Sequence, residues 1–273
     1  MLTLLDITNA RGDTLHLPIL DSSAGYIVRD IEGLDPVKAV LTSSSMAQVD
    51  GAQAQNARRD IRNITMKLGF DPDFVTNTVQ SLRSALYDYL MPKDNILLGF
   101  YIDGQIYAVT EGQVEDFNNS MFSADPEVDI SILCYDPDFY GPAEETLTSA
   151  TVSDTNTNTI TYEGSSETGV IFTLNVNGLV STFSLYNTTP ENEVQVFTVH
   201  GSFGIDDVVT ISTIPGSKSV TLLRAGVETS ILYDLDPTSD WISLKKGDNQ
   251  FRAFSPGSPI PYTVTYVPKY GGL

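Results

Sequence analysis

Two hydrophobic periods divide the chain. The commoner is a period of two. Residues 64–70, ITMKLGF, put Ile64, Met66, Leu68 and Phe70 on one face, and residues 128–134 do the same with Val128, Ile130, Ile132 and Cys134. This is the pattern of half-buried strands. Residues 95–109, NILLGFYIDGQIYAV, read as two such runs joined by Asp103-Gly104, a pair whose tolerance of positive φ suits a tight hairpin turn. One segment, 71–92, changes to the helical period. Val75, Val79, Leu82, Leu86 and Leu90 recur at helical spacing, with Asp71 placed to cap, Pro72 at the first helical position and Pro92 as a stop. The spacing predicts an amphipathic helix of about five turns, its apolar stripe packed on the neighbouring strands.

After Pro142 the pattern changes. AEETLTSATVSDTNTNTITYEGSSETG is rich in Thr, Ser and Asn and poor in large apolar residues, which reads as a linker or as the first weak strands of a new unit. Then follow GVIFTLNV, LVSTFSLY, EVQVFTVH, DVVTIST, SVTLLRAG, TSILYDL, QFRAFS and YTVTYV, short strand-like runs with turn signals between them and no helical segment. Such spacing belongs to an antiparallel β-sandwich or barrel. The expected fold is mainly β. Residues 1–142 form a β-sandwich or split barrel with one α-helix and a β-hairpin, and 143–273 a second, antiparallel β-sandwich. No short tandem repeat occurs.

The chain of 273 residues is 41% apolar and 10% aromatic, enough for packed cores. No segment reaches the roughly 20 apolar residues of a membrane helix; ILLGFYI, 96–102, stops at Asp103. Asp6 stands where a signal peptide would be apolar, and no basic stretch precedes it, so folding in a cytoplasm is expected. The single cysteine excludes an internal disulfide framework. Against 15 Lys and Arg stand 35 Asp and Glu, a net charge of -20, which argues against ordinary binding to phosphate backbones or anionic membranes. The first 142 residues carry 9 basic and 21 acidic residues and the remainder 6 and 14. The acidity therefore belongs to both parts and not to a tail.

Candidate chemistry is sparse. A catalytic Cys134 needs a histidine, a cation or a helix N-terminus to hold a thiolate, and its place in the apolar alternation makes it a small core residue instead. Only His16 and His200 are present, one in each part, so neither a Ser-His-Asp triad nor a histidine zinc site has much to draw on. Asp234, Asp236 and Asp240 in DLDPTSD match no established calcium loop and read as turn residues. Arg11-Gly12-Asp13 sits where a hairpin turn is expected, and Trp241, the sole tryptophan, beside apolar neighbours reads as core. With no nucleotide, metal or hydrolase motif, the chain is expected not to be an enzyme and to hold no cofactor or metal. Arg58, Arg59 and Arg62 stand out against the acidic background, either as a solvated strand edge with Asp60 as partner or as a subunit interface that meets an acidic neighbour. Both readings stand on sequence alone.

The order of features resembles the siphovirus-type tail component, the distal tail protein family of long-tailed bacteriophages. VRDIEGLDPVKAVLTSSSMAQVDGA (28–52) and RRDIRNITMKLGF (58–70) are followed by the helix, the Asp-Gly hairpin and the closing strand VDISILCYDPDFYGP (128–142). Near the end, DWISLKKGDNQF and PYTVTYVPKYGGL look like that family's last strand pair and tyrosine-rich terminus. The resemblance implies a structural virion protein at the tail tip. Residues 1–142 would close a homo-hexameric ring between the tail tube protein and the tail hub protein, with the tape measure protein as a further candidate neighbour. Residues 143–273 would form a peripheral domain similar to galectin or carbohydrate-binding folds. The genome would pass through the ring without specific binding, and an acidic bore would favour this. The alternative is a carbohydrate-binding or adhesin module that recognises host glycan through 143–273; an acidic glycoside hydrolase ranks below either.

Overall fold

The structure, a computed structural model, describes residues 1–45, 50–120, 125–149, 157–256 and 260–273. The chain divides into two compact units: Met1–Pro142 together with Tyr270–Leu273, and Ala143–Lys269. The end of the Ser-rich loop, 46–49, and the middle of the Thr, Ser and Asn segment, 150–156, lie outside the described residues.

The first unit contains strands β1 (Leu2–Asn9), β2 (Thr14–Pro18), β3 (Tyr26–Glu32), β4 (Ala39–Ser44), β5 (Gln53–Arg59) and β6 (Arg62–Phe70), then helix α1 (Val79–Leu86). Strands β7 (Asn95–Ile102), β8 (Gln105–Asn119), β9 (Glu127–Cys134) and β10 (Phe139–Tyr140) follow. The main sheet runs β2-β1-β7-β8-β9-β6-β3, with β10 beside β8, while β4 and β5 pair with each other in a separate two-stranded sheet. In β6 and β9 the apolar alternation does what its period requires: Ile64, Met66, Leu68, Phe70, Val128, Ile130, Ile132 and Cys134 are all buried in one core. Asp103 and Gly104 take φ of 52° and 83° between β7 and β8, the left-handed conformations that a two-residue hairpin demands.

The helix is shorter than the periodicity predicts. It spans Val79–Leu86, and its N-cap is Thr78, not Asp71. Thr78 and Ser81 cap each other reciprocally, side chain to backbone in both directions. The reason lies upstream. One oxygen of Asp73 accepts the backbone N–H groups of Val75, Thr76 and Asn77, at 3.0, 2.9 and 3.0 Å. That gives the backbone an alternative to helical hydrogen bonds. Val75, assigned to the apolar stripe by spacing, is exposed, whereas Leu82, Leu86 and Leu90 are buried as the spacing requires. Tyr26 fixes the helix to β3 by donating to the Leu82 carbonyl at 2.8 Å.

The second unit contains strands β11 (Glu145–Ser149), β12 (Thr157–Tyr162), β13 (Thr168–Gly169), β14 (Ile171–Asn175), β15 (Val180–Thr188), β16 (Val194–Phe203), β17 (Val208–Ser212), β18 (Ser219–Arg224), β19 (Val227–Ser230), β20 (Ser243–Leu244), β21 (Gly247–Phe254) and β22 (Tyr262–Tyr266). One sheet runs β11-β22-β14-β17-β18-β19 and a second β12-β21-β15-β16, and their apolar faces share one core that includes Phe172, Phe183, Phe197, Val199, Ile211 and Phe251. The run TSILYDL is not one strand. After β19 it turns into a single 3-10 turn, Leu232–Asp234, none of whose residues is buried; the buried residue is Ile231, which precedes the turn.

The last four residues, which sequence reading placed with the second β-sandwich, pack with the first unit. Tyr270 stacks on Tyr107 with ring centres 5.1 Å apart, and the Leu273 N–H donates to the Leu34 carbonyl at 3.0 Å. Among the described residues no helix is long and apolar enough to cross a membrane.

Candidate functional site

The three arginines singled out by sequence have three different surroundings. Arg62, at the start of β6, is 1% exposed. Its guanidinium donates to the carbonyls of Pro137, Gly33, Asp35 and Gly271, and lies 4.1 Å from the centre of the Phe139 ring. Among the described residues no carboxylate forms an ion pair with it, and burial lowers its affinity for its proton. A buried charge is tolerated only when its donors are satisfied; here the carbonyls and the aromatic face do so. Arg62 is therefore committed within its own chain. Arg59 forms a two-pronged pair with the buried Asp138, one contact at 2.8 Å, which raises the guanidinium pKa. Asp60, the partner expected from sequence, instead accepts the Ile61 N–H. Arg58 is exposed on β5, opposite Val40 of β4.

Cys134 is fully buried, and desolvation pushes its thiol pKa up. The Thr110 side chain and the Arg62 charge act in the opposite sense, but burial outweighs them and the thiol stays protonated. In the second unit, His200 touches both Thr182 and Asp236, each at 3.2 Å, an arrangement that mimics a hydroxyl–imidazole–carboxylate triad. The Thr182 hydroxyl, however, donates to the Val199 carbonyl at 3.0 Å. Its proton is spent on the backbone of the partner strand, which leaves the histidine nothing to abstract. Asp236 works as a turn residue: it accepts from the Thr238 N–H and hydroxyl, and these bonds hold its pKa at about 2. His16 pairs with Asp6 at 2.6 Å across β1 and β2. Arg11, Gly12 and Asp13 form the β1–β2 turn, with Arg11 and Asp13 paired at 3.2 Å. Trp241 packs edge-on against Phe197 and under Lys218. Among the described residues no grouping of His, Cys, Asp or Glu could hold a metal ion.

One cluster of charged residues was missed by sequence reasoning. Strands β3, β6, β9 and β8 present to solvent the residues that alternate with their buried set. Asp30 lies opposite Lys67, which lies opposite Asp129, and Asp129 lies opposite Asn118. One step along, Glu32, Thr65, Ser131 and Asp116 form the next row. These side chains line an open concavity of about 300 Å³. Glu115 joins the face by accepting from Ser131 at 2.8 Å, and Glu127 by pairing with Lys67 at 3.2 Å and with Arg29 at 3.1 Å. The signal was in the sequence, in the polar positions of strands read only for their apolar ones.

Comparison with known proteins completes the picture. Residues 163–270 match the family model of the siphovirus-type tail component, C-terminal domain. The whole chain has the fold of the SPP1 Dit (gp 19.1) protein, with a TM-score of 0.68 at 16% identity over 97% of this chain and 98% of that one. A chain of the phage P2 baseplate in its activated, calcium-containing conformation gives a TM-score of 0.44 at 11% identity over 97% and 98%. No curated protein sequence matches. The resemblance read from the order of sequence motifs is thus borne out, as is the mainly β fold.

Proposed function

We propose that this chain, whose residues 163–270 match the siphovirus-type tail component C-terminal domain model, is the distal tail protein of a long-tailed phage. Its role is structural, as a component of the virion's tail tip. Six copies close a ring through the first unit, between the tail tube protein and the hub, and the second unit lies at the periphery. The observation that supports this reading furthest is the agreement between the domain match over 163–270 and the fold shared with SPP1 Dit over nearly the full length of both chains. SPP1 Dit is described as a paradigm of the hub adsorption apparatus in phages that infect Gram-positive hosts.

The acidic face gives the ring a physical logic. A channel that passes a genome must not hold it, and every phosphate paired with a Lys or Arg adds sequence-independent affinity. The face formed by Asp30, Glu32, Asp116 and Asp129 is the surface of the first unit best suited to line such a bore. Within a ring, repulsion between copies of net charge -20 must be outweighed by buried contacts. The test is the mass of the purified protein by light scattering, with its outline in electron micrographs. The expected result is a hexamer of the 29.7 kDa chain seen as a ring with a central hole. A protein that stays monomeric at every concentration overturns the reading.

A further inference from the structure

The loop between β6 and α1 displays two large apolar side chains that none of the described residues covers. Phe74 is 76% and Val75 89% exposed. Isolated exposed hydrophobics are ordinary, but this pair is held in place. Phe74 has φ of 56°, a left-handed conformation that is a genuine outlier for a bulky residue. Asp73 enforces it by accepting from the backbone N–H groups of Val75, Thr76 and Asn77, and the Asn77 side chain closes the loop by accepting from the Asp73 N–H at 3.0 Å. Strain retained in a rigid, exposed segment points to use. A pre-organised apolar knob loses little conformational entropy on docking.

The same unit supplies a matching recess. A cleft of about 740 Å³ opens beside β1, β7 and β8, and Ile96, Leu97, Val109 and Tyr135 are among its walls. This volume falls in the range of sites that enclose small organic groups. The knob follows β6 and is tied to the β3 end of the sheet by the bond from the Asp71 N–H to the Gly25 carbonyl at 2.9 Å. The cleft belongs to the other half of the strand order, β1-β7-β8. The high exposure of Phe74 and Val75 shows that the knob does not fill the cleft of its own chain.

We propose that Phe74 and Val75 of one copy seat in the β1-β7-β8 cleft of a second copy of this chain. The inference rests on the ring reading and supplies its contact. A surface that meets a different surface on its twin is heterologous, and repetition of such a contact closes a ring when the rotation allows. The knob and the cleft occupy opposite halves of one sheet, so a contact between them is of this heterologous kind.

Disulfide trapping tests the pairing. In the Val75→Cys, Leu97→Cys double variant, mild oxidation should give a ladder of covalent multimers that ends at the closed ring. Either single variant should give none, since the native Cys134 is fully buried. A Phe74→Ser, Val75→Ser variant should keep the thermal transition of the wild type, because both side chains are exposed, and should weaken assembly by roughly tenfold or more, the scale of an interface anchor. A ring that persists in that serine variant, or an assembled double-cysteine variant that gives no ladder, overturns this contact while leaving the ring itself standing. A wild-type protein that never assembles removes both.

Discussion

Nη2 of Arg62 donates to the Gly271 carbonyl at 2.7 Å, across 209 positions of sequence. The same nitrogen donates to the Pro137 carbonyl, also at 2.7 Å, so the segment that leaves the first unit and the one that returns to it lie side by side. Formally, the second unit is an insertion between them.

This fixes the effect of cutting the chain. Removal of the Arg62 side chain in Arg62→Ala leaves the carbonyls of Gly33, Asp35, Pro137 and Gly271 without their donor and opens a void beside Phe139. A loss of several kcal/mol is expected, since each buried carbonyl left without a donor costs about 1–3 kcal/mol. Calorimetry should show the transition of the first unit lowered and that of the second little moved. For the same reason 1–142 alone should be less stable than a chain in which a short Gly-Ser linker joins Pro142 to Tyr270. Equal stability of the two would show that the terminal segment contributes nothing to the first unit.

Cys134 should behave as a buried hydrophobe. Native protein should leave an aromatic disulfide reagent unreacted until it unfolds, because the thiol is inaccessible and its pKa is raised by burial. Cys134→Ala should cost about 1 kcal/mol without altering assembly. Rapid labelling of the native protein would contradict the core placement.

Much of this was legible in the sequence, and the exceptions share a cause. Strand alternation in β6 and β9 and the Asp103-Gly104 turn depend on one backbone period and two adjacent residues, so local reading recovers them. The start of α1 was misread because Asp71-Pro72 and Val75 have helix-like spacing, while the deciding event is side-chain competition by Asp73 for the backbone N–H groups. Arg62 was misread for a different reason. Its partners are carbonyls at positions 33, 35, 137 and 271, and no residue-type pattern announces a carbonyl. Arg58, exposed on β5, is the one of the three for which an interface role is still proposed.

The Asp73 loop gives a pH dependence of known sign. Bonds from Thr76, Asn77 and Val75 lower its carboxyl from the ordinary 3.8 to about 2. A carboxyl with a depressed folded-state pKa contributes stability above its unfolded value, and that contribution is lost as pH falls through the folded one. Denaturation midpoints should therefore decline between pH 3.8 and 2, and Asp73→Asn should flatten part of that decline. Asp236, lowered to about 2 by the bonds of Thr238 and His200, adds a second contribution from the other unit. An Asp73→Asn protein with an unaltered acid profile would show that the loop does not couple to folding.

The acidic face offers the most direct test of how the proposed ring treats nucleic acid. If Asp30, Asp116 and Asp129 face the bore, the assembled wild-type protein should not retain DNA at any moderate salt concentration. Replacing the three with Lys creates cations on exposed strand positions, where the backbone pairing is unaffected, and each phosphate contact thereby gained should steepen the decline of log affinity with log salt by about 0.9. Binding of short duplexes, followed by anisotropy over a salt series, reads this slope. A Lys-substituted ring should bind at low salt and release as salt rises. Phage built with the variant should then eject DNA more slowly, since contacts that hold the duplex oppose its transit. Unchanged ejection by a variant ring that binds DNA in solution would place these residues outside the channel.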